Sequence, residues 1–146
     1  MRSVGGMFMK IISATNARQH FSEFIDEIVR ERPVIIKRNR DLIMSFALQD
    51  ISSLLEHYRF TVNEFIEDDN SITLSLNEFD LVVNEPDRDH ALDSMTKEIK
   101  EYAEEYYQNF RLYLNSPNRR TELPYVLKVL SSKSIDEVKG SIKYHA

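Results

Sequence analysis

The sequence of 146 residues contains no cysteine and no hydrophobic run long enough to cross a membrane. Without cysteine, the chain forms no disulfide bond and has no thiolate for catalysis or for binding zinc or an iron–sulfur cluster. A membrane-spanning helix needs about 18 or more consecutive apolar residues. Residues 1–8 also lack the basic start and the long apolar core of a signal peptide. We therefore expect a globular protein of the cytoplasm that does not enter the membrane.

Glycine is scarce as well, and the sequence has no glycine-rich phosphate-binding loop, because its only glycines are Gly5, Gly6 and Gly140. The four histidines are scattered and show no metal-ligand spacing: His20, His57, His90 and His145. The acidic pairs Asp68-Asp69 and Glu104-Glu105 are typical of solvated turns and helix faces rather than of acid–base catalysts. We predict that the chain is not an enzyme and that it binds no cofactor and no metal.

The formal net charge of −5 is distributed unevenly along the chain. Residues 1–60 hold nine Lys and Arg against seven Asp and Glu, a balance of +2, whereas residues 61–146 hold ten against seventeen, a balance of −7. A mildly basic first half is compatible with phosphate contacts, and an acidic second half suits a basic protein partner. The two halves are therefore expected to bind different partners.

Residues 9–60 show the clearest pattern of secondary structure. Ile11 and Ile12 predict a short strand, and the oxygen-bearing side chains of Ser13, Thr15 and Asn16 predict a helix that begins near Thr15. Apolar residues recur in this helix at spacings of three and four: Ala17, Phe21, Phe24, Ile25 and Ile28. This stripe predicts one packing face on the helix.

A hairpin follows the helix, which Pro33 is expected to end. Residues 34–36 predict a buried strand, residues 39–41 a polar turn, and residues 42–48 a second strand that returns antiparallel, followed by a second helix. A unit of about fifty residues buries only about 60% of its unfolded surface and is marginally stable alone. We therefore expect residues 9–60 to form a homodimer or a higher homo-oligomer.

The second half predicts an α+β domain over residues 61–146. The sequence becomes acidic over residues 61–70, where residues 67–70 predict a turn, and strands are expected at residues 72–76 and 79–83. The longest predicted helix runs from about Asp87 to Leu114. Two shorter helices are expected at residues 125–130 and after Ser134, which has Glu137 at capping-box spacing. With residues 1–8 as a flexible lead and 9–60 as a first domain, the predicted fold class is α+β.

The order strand, helix, hairpin, helix, with the segments ISATNAR (residues 12–18) and PVIIKRN (residues 33–39), resembles the Phd/YefM family of antitoxins. Members often place a glycine near the hairpin turn, where this chain has Asn39-Arg40-Asp41. The segment NEPDRDHALDSMTKEI (residues 84–99), preceded by two strands, resembles in outline the HicB-type fold. The resemblance to the Phd/YefM family implies an antitoxin that binds operator DNA as a dimer and neutralises a cognate toxin. The HicB-type outline favours only an α+β fold for the second half.

Five basic residues are candidates for contact with DNA. Arg18 is expected early in the first helix, where its guanidinium and the helix-start amides can meet a phosphate or a guanine edge; the alternative is a solvated, ion-paired arginine. Lys37, Arg38 and Arg40 lie at the expected hairpin tip, and the resemblance assigns Arg38 a role in holding DNA; the alternative is a polar turn. Lys10 is a candidate backbone contact.

These observations predict an antitoxin of a type II toxin-antitoxin pair, with operator DNA and a cognate toxin as partners. The first domain would dimerise and repress its own operon, and the second half would bind the toxin. One alternative is a stand-alone transcriptional regulator whose second domain senses another protein or a ligand. The other is a protein-interaction adaptor that does not bind DNA.

Overall fold

The computed structural model describes residues 8–145, and the chain divides into two compact units, Met1–Ser53 and Leu54–Ala146. The predicted flexible lead, apart from Phe8, lies outside the described residues. The division lies earlier than the boundary expected near residue 60. Residues 54–59 group with the second unit because Leu55 is buried and Lys128 Nζ donates hydrogen bonds to the carbonyls of Leu55 and Glu56, at 3.3 and 3.2 Å.

The first unit is a three-stranded sheet with helices before and after its hairpin. Its elements are β1 (Ile11–Ser13), α1 (Ala14–Gln19), α2 (Phe21–Arg30), β2 (Val34–Arg38), β3 (Asp41–Ser45) and α3 (Leu48–Leu54, whose last residue belongs to the second unit). The strands lie in the order β1-β2-β3, with β1 parallel and β3 antiparallel to β2. The predicted order of elements is therefore present in this unit.

The prediction of a single helix from Thr15 to Pro33 is wrong, because the helix is interrupted at His20. Ser13 is the N-cap of α1, and its Oγ accepts a hydrogen bond from the Asn16 amide at 3.0 Å. His20 adopts φ −123° and ψ 48°, and α2 begins at Phe21. The predicted strand over residues 42–48 ends earlier, at Ser45.

The hairpin turn explains how this chain manages without a glycine. Arg38 and Asp41 are opposite each other in the sheet, so the turn consists of Asn39 and Arg40. Asn39 has φ 56°, in the left-handed region that asparagine tolerates better than most other residues. The polar turn that was predicted is therefore present.

The second unit is a four-stranded sheet packed on helices. Its elements are β4 (Phe60–Ile66), β5 (Ile72–Leu76), β6 (Val82–Glu85), α4 (Arg88–Gln108), α5 (Phe110–Leu114), α6 (Pro117–Arg120), α7 (Leu123–Leu130), α8 (Ile135–Gly140) and β7 (Ile142–Tyr144). The strands lie in the order β6-β5-β4-β7; β7 is parallel to β4, and the other neighbours are antiparallel. The α+β fold class is confirmed.

Several predicted bounds in this unit need correction. The turn predicted at residues 67–70 is present and ends with Asn70 at φ 67°, but residues 61–66, where no strand was predicted, belong to β4. β6 begins at Val82 rather than Phe79. The long helix ends at Gln108 because Asn109 breaks it with φ −118° and ψ 38°. The cap at Ser134 is confirmed, since its Oγ accepts a hydrogen bond from the Glu137 amide at 3.2 Å.

The core of the second unit lies between the sheet and α4, α7 and α8. Phe60, Phe79 and Tyr106 are its largest fully buried side chains, and the Tyr106 hydroxyl donates to the Arg119 carbonyl at 2.8 Å. The buried Tyr106 hydroxyl therefore keeps a hydrogen-bond partner inside the fold. Among the tyrosines of α4 and α5, Tyr106 and Tyr113 are buried, whereas Tyr107 is exposed.

Candidate nucleic-acid interface

The hairpin tip of the first unit brings three predicted site residues together. Lys37 and Arg38 end β2 and Arg40 lies in the turn, and all three are exposed. Arg38 Nη2 lies 3.2 Å from Asp41 Oδ2, and the Arg38 side chain is 73% exposed. An exposed pair of this kind contributes little to stability, so Arg38 can exchange its partner for a phosphate at small cost. The tip therefore presents three cations and one carboxylate on a short, ordered turn.

The sheet register places the start of α1 at the same end of the sheet as this tip. Ser13, the N-cap of α1, is opposite Lys37. Arg18, however, lies in the last turn of α1 and not early in a long helix as predicted. Because α1 has only six residues, Arg18 still lies within about one turn of the helix start. Arg18 is exposed and forms no ion pair with any residue in the described range, so it stays a candidate for a DNA contact.

Lys10 is not brought together with the tip residues. It precedes β1 at the other end of the strand, where its carbonyl accepts a hydrogen bond from the Ile35 amide at 2.9 Å. Its Nζ donates to Glu27 Oε1 at 2.8 Å, and Glu27 also lies 3.9 Å from Arg32 Nε. The charge of Lys10 is thus balanced by a carboxylate inside the first unit. The structure does not favour Lys10 as a phosphate contact.

Sequence reasoning missed an exposed apolar surface on the first unit. The predicted stripe of α2 is divided, with Ile28 buried and Phe24 half-buried, whereas Phe21, Ile25 and Val29 are exposed. We call the exposed apolar residues of α2 and β3 together the apolar surface: Phe21, Ile25, Val29, Leu42, Ile43 and Met44. Because side chains alternate along a strand, Ile43 lies on the opposite face of the sheet from Leu42 and Met44. The signal in the sequence was Val29, which follows Ile25 by four residues and widens the predicted stripe beyond the roughly 100° that packing on one side needs.

The second unit carries exposed acidic groups, whereas the hairpin tip of the first unit carries basic ones. Glu67, Asp68 and Asp69 are exposed in the connection between β4 and β5, and hydrogen bonds from Ser71 lower the pKa of the Asp69 carboxyl. At the start of α4, the His90 amide and imidazole both bond to Asp87, which lowers the pKa of Asp87 and raises that of His90. Such a surface repels a phosphate backbone.

Two structural findings bear on the predicted absences. Within residues 8–145, no three His, Asp or Glu side chains are grouped so as to hold a metal ion. No helix in that range combines the length and the apolar character that crossing a membrane requires.

Comparison with known proteins gives two matches that span most of the chain. A family model, PHD_like, described as antitoxin of toxin-antitoxin, RelE / RelB, TA system, matches residues 7–144. A crystal structure of an antitoxin part of a proposed toxin/antitoxin system from Syntrophomonas wolfei subsp. wolfei is 40% identical, with a TM-score of 0.86. That match covers 94% of this chain and 99% of the other. The curated proteins contain no match. A cognate toxin is the partner that such a family implies, and the chain belongs to the PHD_like family of antitoxins of toxin-antitoxin systems.

Proposed function

We propose that this antitoxin neutralises its cognate toxin by direct binding through the second unit and represses its own operon by binding operator DNA as a dimer through the first. The observation that carries the DNA part is the group of exposed cations at the hairpin tip, Lys37, Arg38 and Arg40. We further propose that the protein acts in the cytoplasm by binding alone, without catalysis.

The hairpin tip has the properties that a phosphate contact needs. Its cations lie at the end of β2 and in the two-residue turn that the β2–β3 pairing holds in place, so little backbone conformational freedom is lost on binding. The only carboxylate in the segment 37–41 is Asp41, which engages Arg38. Lys37 and Arg40 form no ion pair within the described part of the chain. The tip is therefore available to an anionic backbone.

The apolar surface supports a dimer of the first unit. Large apolar patches on a soluble chain usually mark a site of association. Only four apolar residues of the described first unit are buried: Ala17, Ile28, Val34 and Ile35. A second copy covering the apolar surface would supply the burial that this unit lacks, and a twofold dimer would present two hairpin tips to a palindromic operator.

The finer family assignments belong to the same proposal. The order of β1, α1–α2, the β2–β3 hairpin and α3 supports a Phd/YefM-type first unit. The HicB-like outline of the second unit rests on two strands and a helix, an arrangement that many folds share, so it adds no function. Toxin binding by the second unit is supported by its acidic character, since residues 61–146 carry a balance of −7 and would attract a basic partner.

The DNA part is tested with alanine variants of the full chain, titrated with operator DNA across salt concentrations. Arg38→Ala and Arg40→Ala should each weaken binding by about 1 to 3 kcal/mol per site and lower the salt slope by about one for each lost phosphate contact. Arg18→Ala tests the remaining exposed candidate. Arg30→Ala is the matched control, because Arg30 is an exposed arginine of the same unit that is paired with Asp26 on α2.

Toxin binding is measured in parallel with the toxin encoded by the neighbouring gene. It should be unchanged in every variant, because the substitutions lie in the first unit. If Arg38→Ala and Arg40→Ala bind the operator as tightly as the parent with the same salt slope, the DNA assignment is wrong and the adaptor alternative is favoured. If no variant and no parent chain binds the toxin, the neutralisation part is wrong.

A further inference from the structure

The second unit contains an open cleft of about 780 Å³ that no predicted function uses. Its lining includes Tyr58 before β4, Glu78 after β5, and Glu122 and Tyr125 at the start of α7. A volume of this size is in the range of sites that hold a small ligand or a large side chain. The question is which chemistry the lining would accept.

Two glutamate carboxylates line the cleft, and in each of them one oxygen accepts no hydrogen bond from a residue in the described range. Glu78 Oε1 accepts a hydrogen bond from the Thr61 amide at 2.7 Å, and Glu122 Oε1 accepts one from the Tyr102 hydroxyl at 2.6 Å. These bonds fix the direction of both side chains, and both residues are half-buried. Neither carboxylate forms an ion pair with a residue in the range 8–145.

The surroundings leave Glu122 incompletely compensated. Burial raises the pKa of its carboxyl and nearby Asp80 adds to the rise, against the hydrogen bond from Tyr102 and the charge of Arg119. The Arg119 guanidinium is stacked 4.2 Å from the ring centre of Tyr113, so it is committed elsewhere. A partly buried carboxylate that forms no direct ion pair gains free energy when a cation reaches hydrogen-bond distance.

Two tyrosine rings complete the cleft. Tyr58 and Tyr125 pack edge to face with ring centres 5.3 Å apart, which fixes both rings. Aromatic faces attract cations, and a planar guanidinium also stacks on them. Arg120 lines the cleft too, but its Nε donates to the Leu114 carbonyl at 3.2 Å and is thereby held against the wall.

We propose that this cleft accepts an arginine side chain of the cognate toxin, with Glu78 and Glu122 receiving its guanidinium and the tyrosines flanking it. Arginine fits better than lysine because its five N–H donors can serve two carboxylates while its plane lies against a ring. The inference rests on the proposed function, because it presumes that the second unit binds the toxin. It adds the surface and the residue type through which it does so.

The test replaces each carboxylate by its amide in the full chain. Glu78→Gln and Glu122→Gln remove the charge and keep an oxygen for Thr61 and Tyr102. Calorimetric titration with the toxin of the neighbouring gene should show affinity about tenfold weaker for each variant, as expected when a charge-assisted hydrogen bond becomes a neutral one. Glu105→Gln, an exposed glutamate of α4, is the matched control and should bind like the parent.

A second measurement separates a lost contact from a damaged fold. Each arginine of the toxin is replaced by alanine and titrated against the parent antitoxin and Glu122→Gln. One toxin variant should lose about tenfold with the parent and almost nothing further with Glu122→Gln, because the two substitutions remove the same contact. Additive losses for every toxin arginine would overturn the inference.

The failure of this inference and that of the proposed function are distinguishable. If the parent chain does not bind the toxin, the neutralisation function is wrong and the inference falls with it. If the parent binds and both glutamine variants bind equally well, the function stands and the inference alone is overturned. Operator binding should be unchanged in both glutamine variants, because neither residue lies in the first unit.

Discussion

The two units of this antitoxin differ most in how much of their apolar material they bury. The second unit has a continuous core of sixteen buried residues that extends from Phe60 on β4 to Ile142 on β7. The described first unit buries only four apolar residues and leaves six exposed on the apolar surface. A unit with its own core can hold its shape alone, whereas the first unit is expected to complete its core with another copy.

The largest expected effect tests the independence of the second core. Phe60→Ala removes a fully buried ring and should lower the free energy of unfolding of that unit by about 3 to 5 kcal/mol. All seven tyrosines follow residue 53 and the chain has no tryptophan. Tyrosine fluorescence during denaturant unfolding of the full chain therefore reports on the second unit. Phe65→Ala, at a ring that is 52% exposed, is the control and should cost less than about 1 kcal/mol. Equal losses in both variants would contradict the core described above.

A smaller effect is expected at the apolar surface of the first unit. Ile25→Glu places a charge where a second copy is proposed to pack, and should weaken dimerisation by about 2 kcal/mol, because an unpaired charge would be buried. Sedimentation equilibrium of the full chain measures it. Gln108→Glu adds the same charge at an exposed position of α4 in the second unit, away from the apolar surface, and should change the dimer much less. A parent chain that sediments as a monomer at micromolar concentration would contradict the dimer itself.

The smallest effect concerns a charge at the cleft of the second unit. Burial raises the pKa of the Glu122 carboxyl in the folded state above its ordinary value of 4.5, so the protonated form favours folding. This contribution to the stability of the parent is fully present below pH 4.5. It is lost as the pH rises through the folded pKa. Glu122→Gln carries no such dependence and keeps the hydrogen bond from Tyr102. It should therefore match the parent in acid and melt slightly higher near pH 7. A higher melting temperature for the parent at neutral pH would show that the carboxylate is compensated within the fold.

Local features of the fold could be predicted because their hydrogen bonds join residues close in sequence. The caps at Ser13 and Ser134 and the two-residue turn at Asn39 are of this kind. The helix breaks at His20 and Asn109 were missed because neither site has a proline or glycine. In both, the amide still donates to the carbonyl four residues earlier while ψ departs from helical values. β4 was missed because the adjacent polar residues Asn63 and Glu64 interrupt the alternation of apolar and polar residues, although the strand pairs with β5 next to it in the chain.

In the candidate site, too, groupings of residues close in sequence could be predicted and contacts between distant residues could not. Lys37, Arg38 and Arg40 are brought together by a turn of two residues, so their grouping is visible in the sequence. The ion pair between Lys10 and Glu27 joins residues far apart in the chain, so the sequence pattern did not indicate it. The position of Arg18 in the last turn of α1 depends on the helix break at His20, which was not predicted. The cleft combines residues from Tyr58 to Tyr125, which no local pattern connects.

The parallel pairing of β4 with β7 has a consequence for the order of events during synthesis. Phe60 is opposite Ile142, so this edge of the second sheet cannot close until all five helices between them have left the ribosome. The β1-β2-β3 sheet, by contrast, needs only residues up to Ser45. Long-range strand pairing is slow and leaves an open edge in the meantime. The nascent antitoxin is therefore expected to assemble its first sheet early, while the edge of β4 opposite β5 stays open to pairing with other chains until Ile142–Tyr144 arrive.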